Sequence, residues 1–330
     1  MSFFAAATGI GSWPGTSARQ AAEVVVGELG GALAHIVELP ARGVGADLIG
    51  RAGGLLVDLA IDVSPRGYRL VARPGAVTRR AVSMLGEDAD ALEEAWENAG
   101  LRGGGHPVKV QAPGPLTLAA ELELANGHRA ITDPGATRDL AASLAEGLSV
   151  HRRELSRRLD SPVVVQLDEP SLAAAVGGRL AGVTAVNPVP AVDEAVASGL
   201  LDGCVAAVAG DVLVHSQAPE FPWNVLQHSA VAAVSVDIEG LQDVDYDGIA
   251  EFIDSGRTVM LGVLPATAPQ RAPSVEQVAA AAAAVTDRIG FPRSVLADRI
   301  GITPARGLAG ATSQWAQTAL GLARRAAEAL

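Results

Sequence analysis

Short β-branched runs alternate with longer Ala-, Leu- and Arg-rich stretches along the whole chain, and this alternation constrains the fold more than any single motif. The runs at 7–12, 34–39, 107–112, 162–167, 211–215, 231–236, 258–264 and 298–302 predict eight strands. Helical spacing predicts helices near 17–29, 45–60, 76–99, 115–126, 136–159, 190–199, 221–229, 245–255, 274–289 and 311–329. Thr16-Ser17, Asp133-Pro134 and Ser274 ahead of Glu276-Gln277 supply start signals for three of them. A strand, a helix and a further strand require a crossover connection, which makes neighbouring strands parallel. Eight such units suit a closed (β/α)8 barrel better than an open sheet. The expectation is therefore one α/β domain over 1–330, with a small hairpin-like excursion near 62–75.

Composition supports a large core and narrows the partners. The 330 residues are 49% hydrophobic and 19% charged. A net charge of −12 repels phosphate backbones and anionic lipid, so neither nucleic acid nor membrane is an expected partner. A single cysteine, Cys204, excludes an internal disulfide and a Cys-rich metal cluster. The start, Met1 to Gly11, lacks a basic stretch followed by an apolar run, and the apolar run at 278–285 is mostly Ala. The expected location is the cytoplasm.

In a β/α barrel, chemistry sits at the C-terminal ends of the strands. Those ends carry Ser12, Glu38, Gly114, Asp168 with Glu169, His215 with Gln217, Asp237, the 265–267 stretch and Pro304-Ala305. His35, His106 and Lys109 fall at the opposite ends, and His128, His151 and His228 on helices. Only His215 of the six histidines is thus placed to work. Plainer readings stand beside each. His215 also suits a hydrogen-bonded core histidine, Asp168-Glu169 a helix N-terminus, and Glu38 and Asp237 solvated loops. Lys109, the sole lysine, begins its strand and is expected on the stability face, away from any Schiff-base chemistry. Cys204 reads as a packed small hydrophobe. Gly9 and Gly11 lack the third glycine of a dinucleotide fingerprint.

Taken in order, the strand ends become more specific. They read Gly9-Ile10-Gly11-Ser12, Glu38-Leu39-Pro40-Ala41-Arg42-Gly43, Gln111-Ala112-Pro113-Gly114-Pro115-Leu116-Thr117, Gln166-Leu167-Asp168-Glu169-Pro170, His215-Ser216-Gln217-Ala218-Pro219 and Ile302-Thr303-Pro304-Ala305-Arg306-Gly307-Leu308. From about residue 8 to the end, this series resembles the C-terminal catalytic barrel of cobalamin-independent methionine synthase, in the short single-barrel form seen in actinobacteria. That family moves a methyl group to the sulfur of homocysteine on a protein-bound zinc. A free thiol, with a pKa of ~8.5, is mostly protonated at neutral pH, and zinc makes it a thiolate.

The resemblance implies site roles. Ser12 with the Ile10-Gly11 backbone would hold the amino-acid carboxylate, and Glu38 and Asp168 its ammonium. The family's metal pattern is His-x-Cys, then Glu, then Cys. It falls here on His215, Gln217, Asp237 and Ala305, so both thiolate positions lack sulfur and the implied metal ligands reduce to His215 and Asp237. The family's proton-donating histidine falls near Thr267. Implied partners are a small sulfur amino acid and a methyl donor, either a methylated folate or a corrinoid, free or carried by a donor protein. Two alternatives stay open. One is a non-catalytic amino-acid-binding or regulatory barrel. The other is a metal-free barrel enzyme of the uroporphyrinogen decarboxylase type, although Arg42, Arg51 and Arg306 are the only arginines near the strand ends.

Overall fold

The structure is a computed structural model that describes residues 2–183, 188–217 and 220–330. Its strands are β1 (Ala34–His35), β2 (Ala60–Ser64), β3 (Gly67–Val71), β4 (Val108–Pro113), β5 (Leu122–Glu123), β6 (Val163–Asp168), β7 (Val212–His215), β8 (Ala233–Asp237), β9 (Thr258–Leu264) and β10 (Ile300–Pro304). Seven of them form one curled sheet in the order β1-β4-β6-β7-β8-β9-β10, with every neighbouring pair parallel. Each crossover steps to the next strand in the same direction, as same-handed β-helix-β units must.

The expected first strand, 7–12, makes single bridges rather than a ladder. Ala7 pairs with Ile302 and Ser12 with Glu38. The Thr8 N–H donates to the Ile302 carbonyl at 3.1 Å, and the Glu38 N–H donates to the Gly11 carbonyl at 3.1 Å. This segment therefore bonds to both edges of the sheet.

Strand alternation sorts the side chains into two layers. Val108, Val110, Val163, Val165, Val212 and Val214 join the large outer core between sheet and helices. On the concave face, Phe4, Leu33, Val164, Leu213, Ala233 and Met260 form a separate apolar plug. Two residues beyond Val164, Leu213 and Ala233 the inward positions turn polar, as Gln166, His215 and Ser235, and Lys109 lies level with Val164 on β4; all four are buried. The apolar plug forms the floor under these groups, and the strand ends above them form the site.

Three expectations change. The helix expected at 45–60 is only Leu48–Ala52, begun by Asp47, whose side chain accepts from Gly50 N–H. Gly53 and Gly54 then pack so closely that a Cβ on either would lie 2.5–2.6 Å from Ile61 or Leu85 side chains. The chain turns there into the antiparallel β2–β3 hairpin, onto which β5 adds in parallel. The hairpin near 62–75 is thus present but starts earlier, at Ala60. The helix expected at 190–199 spans Glu194–Val208. Gly199 and Gly203 do not end it, because Ala197, Leu201, Cys204 and Val208 continue a buried stripe at helical spacing. Finally, the expected strand at 298–302 begins later, because Ser294–Arg299 is helical. Among the described residues, no helix is long and apolar enough to cross a membrane.

Candidate functional site

A cavity of about 250 Å3 lies at the C-terminal ends of the strands. Ser12, Glu38, Asp168, His215 and Gln217 line it, with Ile10 and Gly307 in its wall. Residues almost 300 positions apart in sequence are thereby brought into one pocket.

On one side the pocket is tightly wired. The Ser12 hydroxyl packs so closely on Gly307 that a Cβ there would lie 2.0 Å from its Oγ. The Leu308 N–H donates to the Ser12 carbonyl at 2.9 Å, tying the last loop to the first. Gly11 has φ +135°, and a Cβ there would fall 2.1 Å from Gln111 Nε2, so glycine is required for both conformation and space. The Ile10 carbonyl accepts from Gln166 Nε2 at 2.7 Å and from Lys109 Nζ at 3.4 Å. Gln166 Nε2 also donates to Asp168 Oδ1 at 2.8 Å. Glu38 lies 3.6 Å from Arg51 Nε. Behind it, Arg51 and Arg42 both pair with the fully buried Asp88.

Asp168 and Glu169 divide the two readings of their motif between them. The Asp168 carboxylate faces the cavity. Glu169 is fully buried and accepts from the Leu116 N–H at 2.9 Å, the Thr117 N–H at 2.8 Å and the Thr117 hydroxyl at 2.6 Å. It satisfies the N-terminus of helix Pro115–Glu121.

Lys109 departs from expectation. The sequence places it on the stability face. The structure puts it fully buried on the inward face of β4, with Nζ donating to Gln166 Oε1 directly beneath the cavity. The Val-Lys-Val-Gln alternation of 108–111 carried that signal, since the valines face the outer core. The long side chain spans the depth between strand start and pocket.

These groups perturb one another. Burial raises the Asp168 carboxyl well above its ordinary value; repulsion from Glu38 adds to this, and Lys109 opposes it. Burial also raises Glu38, against the pull of Arg51 and Lys109. Burial lowers Lys109 to about 7, while Asp168 and Glu38 hold it up. His215 is lowered to about 3 by burial and then by Lys109 and Arg306, so it is neutral at ordinary pH.

The other side of the pocket is wired differently. His215 Nε2 lies 3.0 Å from Gln217 Nε2, and His215 Nδ1 is buried without a hydrogen-bond partner. Asp237 lines a neighbouring cavity of about 480 Å3 that shares Gln217 with the first. Asp237 Oδ1 accepts from the Glu239 N–H at 2.9 Å, and its Oδ2 lies 3.7 Å from Arg306 Nε. Ala305 and Asp237 flank Gly262, where a Cβ would lie 2.7 Å from one Cα and 3.3 Å from the other. Ala218 and Pro219 of the His215 motif lie outside the described residues. Among the described residues, no group of three or more His, Cys, Asp or Glu side chains is placed to hold a metal ion. Cys204 is buried in helix Glu194–Val208, and burial pushes its thiol up to about 12.

Sequence reasoning missed Lys109, Gln166 and the Arg42–Asp88–Arg51 chain. Nothing local announces the last of these, because Asp88 lies 37 residues beyond Arg51 within an ordinary amphipathic helix.

Comparison with known proteins gives the following. The family described as "Cobalamin-independent synthase, Catalytic domain" matches residues 4–329. The structure of a B12-independent methionine synthase from Shewanella sp. W3-18-1, in complex with selenomethionine, superposes with a TM-score of 0.63. That match is 13% identical and covers 99% of this chain and 97% of the other, so it shows a shared fold. A GH5-4 broad specificity endoglucanase from an uncultured bacterium is 14% identical over 78% of this chain and 76% of its own, but its TM-score of 0.37 carries no weight. Among curated proteins no match is found.

Proposed function

Because the chain belongs to the family of the cobalamin-independent synthase catalytic domain, we propose that its cavity binds a small sulfur amino acid. Ser12 and the Ile10-Gly11 backbone take the carboxylate, and Glu38 and Asp168 take the ammonium. Segment 7–12 acts as the eighth strand of a (β/α)8 barrel, and 1–330 forms one unit.

The observation that carries this reading is a buried pair of carboxylates with raised proton affinity in one small cavity. Desolvation and mutual repulsion make such a pair costly when empty, and an arriving ammonium relieves both. The Shewanella relative, in complex with selenomethionine, supports the ligand class.

The residues on the opposite side do not fit a zinc centre of the family's kind. Tight zinc sites rest on thiolate sulfur and imidazole nitrogen. Here Gln217 and Ala305 supply no sulfur, the Gln217 amide engages His215 Nε2, and Arg306 engages Asp237. We take the metal site as degenerate, and homocysteine S-methylation as altered or lost. If a methyl group is transferred, its donor is a methylated folate or a corrinoid, free or on a protein.

A second reading, an amino-acid-binding or regulatory barrel without chemistry, is favoured by the same His215–Gln217 pair. The decarboxylase reading is weaker. Arg42 and Arg51 are engaged by Asp88, and Arg306 is beside Asp237, so these three do not converge on a polycarboxylate.

Protein purified without added zinc tests the metal reading by elemental analysis and zinc titration. The expected result is substoichiometric zinc and weak binding; stoichiometric zinc held at nanomolar affinity would overturn it. The double change Gln217→Cys with Ala305→Cys should tighten zinc binding. Methionine or homocysteine should raise the melting temperature by a few degrees at saturating concentration. No response to any sulfur amino acid would remove the ligand assignment.

A further inference from the structure

We propose that Lys109 is the built-in counter-ion of this pocket, and that its charge makes the site select a net-neutral α-amino acid over the corresponding amine. The proposal rests on the amino-acid reading above, and deepens it by naming the residue that sets the charge of the accepted ligand.

The geometry comes first. Lys109 is fully buried, and its Nζ has two acceptors, Gln166 Oε1 and the Ile10 carbonyl. Gln166 passes the contact on, donating to both that carbonyl and Asp168 Oδ1. One ammonium thus orients the peptide leading to Ser12 and the carboxylate of Asp168. These are the two ends of the proposed amino-acid site.

The charges around it nearly close. Arg42, Arg51 and Lys109 are cationic, and Asp88, Glu38 and Asp168 are carboxylates; all six are largely buried. The further acid on Arg42, Glu87, is well exposed and solvent-screened, and a fourth buried carboxyl, Glu169, which repels Asp168, is held by the Leu116 and Thr117 N–H groups and raised to about 7 by burial. The histidines that feel Lys109 are His35 and His215, both lowered to about 3 and therefore uncharged. With Lys109 protonated and Glu38 and Asp168 ionised, these six charges sum to zero. A zwitterion leaves the sum at zero, whereas a bare amine adds an uncompensated cation in a low-dielectric pocket. Without the Lys109 charge the preference reverses.

The electrostatics agree. Lys109 is balanced between burial, which favours the neutral amine, and Asp168 and Glu38, which favour the ammonium.

The chain offers a direct readout, because Lys109 is its only lysine. Protein grown with lysine labelled at Cε gives one NMR signal whose pH titration belongs to Lys109. The midpoint is expected near 7 in the free protein. It should fall by about a unit or more in Asp168→Asn, and should not fall when methionine saturates the site, because Lys109 stays charged beside the zwitterion. A midpoint that stays near 10.5 and ignores Asp168→Asn would overturn the proposal. If methionine does not bind, the ligand reading fails, and the Asp168→Asn comparison still decides the role of Lys109. Calorimetry with methionine and 3-(methylthio)propylamine tests selectivity. Lys109→Met should shift the affinity ratio about tenfold or more towards the amine, and an unchanged ratio counts against the proposal. If Lys109→Met does not fold, the wild-type and Asp168→Asn titrations decide alone.

Discussion

The two sides of the cavity are built to different standards. On the Ser12–Glu38–Asp168 side, Gln111 packs against Gly11, Gly307 against Ser12, Arg51 lies 3.6 Å from Glu38 and Gln166 donates to Asp168, while Glu38 Oε1 and Gln111 Oε1 are buried without a hydrogen bond. On the His215 side, one imidazole faces an amide, its other nitrogen has no hydrogen-bond partner, and the nearest expected acid is turned to an arginine in the next cavity. Preorganisation is retained where charge recognition is needed. It is missing where a metal would need several ligands converging on one point.

The largest effect expected is on ligand affinity. Asp168→Asn removes one carboxylate from a desolvated pair and should weaken methionine binding by about 2–5 kcal/mol in calorimetry. Asp237→Asn should change it by less than about 0.5 kcal/mol, as expected for a site away from the ligand. Equal losses from the two variants would erase the difference between the sides.

Gly11→Ala should be next in size. The residue combines φ +135° with a Cβ position 2.1 Å from Gln111 Nε2. Strain and overpacking together should cost roughly 1–3 kcal/mol of stability, read by chemical denaturation. A neutral outcome would mean that the Ser12 side is softer than described.

The pH dependence of stability probes the other side. Folded His215 is lowered from 6.5 to about 3, so below 6.5 the unfolded chain binds the proton that the folded chain refuses. Its contribution is present above 6.5 and is lost as pH falls towards 3. Replacing His215 with Leu should make the acid-side loss shallower by about 1–2 kcal/mol between pH 6.5 and about 5. Comparing variant with parent removes the opposing trend of Glu169, which burial raises to about 7. Unchanged curves would show that His215 is solvated.

The smallest effect is expected at Cys204. Cys204→Ala should cost about 1 kcal/mol of packing and leave both methionine and zinc binding unchanged. A change in zinc affinity would reveal a thiol that reaches the site.

Much of this architecture was legible in advance. The β/α alternation placed six of the seven sheet strands to within two residues, and the strand-end rule put Ser12, Glu38, Asp168, His215 and Gln217 in one cavity. Periodicity is a local signal, so it survives in the sequence. It failed where contacts decide the outcome. The 45–60 stretch has helical spacing, yet Gly53 and Gly54 are pressed against Ile61 and Leu85 and the chain turns. Strand position alone also misjudged Lys109, because a long side chain carries its charge about two residues beyond its Cα. The pairing of Asp237 with Arg306 was invisible, since it depends on how two loops meet.

Calorimetric titration of methionine into protein stripped of metal by a chelator, then dialysed free of it, tests both sides at once. One molecule should bind per chain, with the same affinity before and after stripping and with binding lost in Asp168→Asn. Binding that disappears on stripping and returns with zinc would contradict the account.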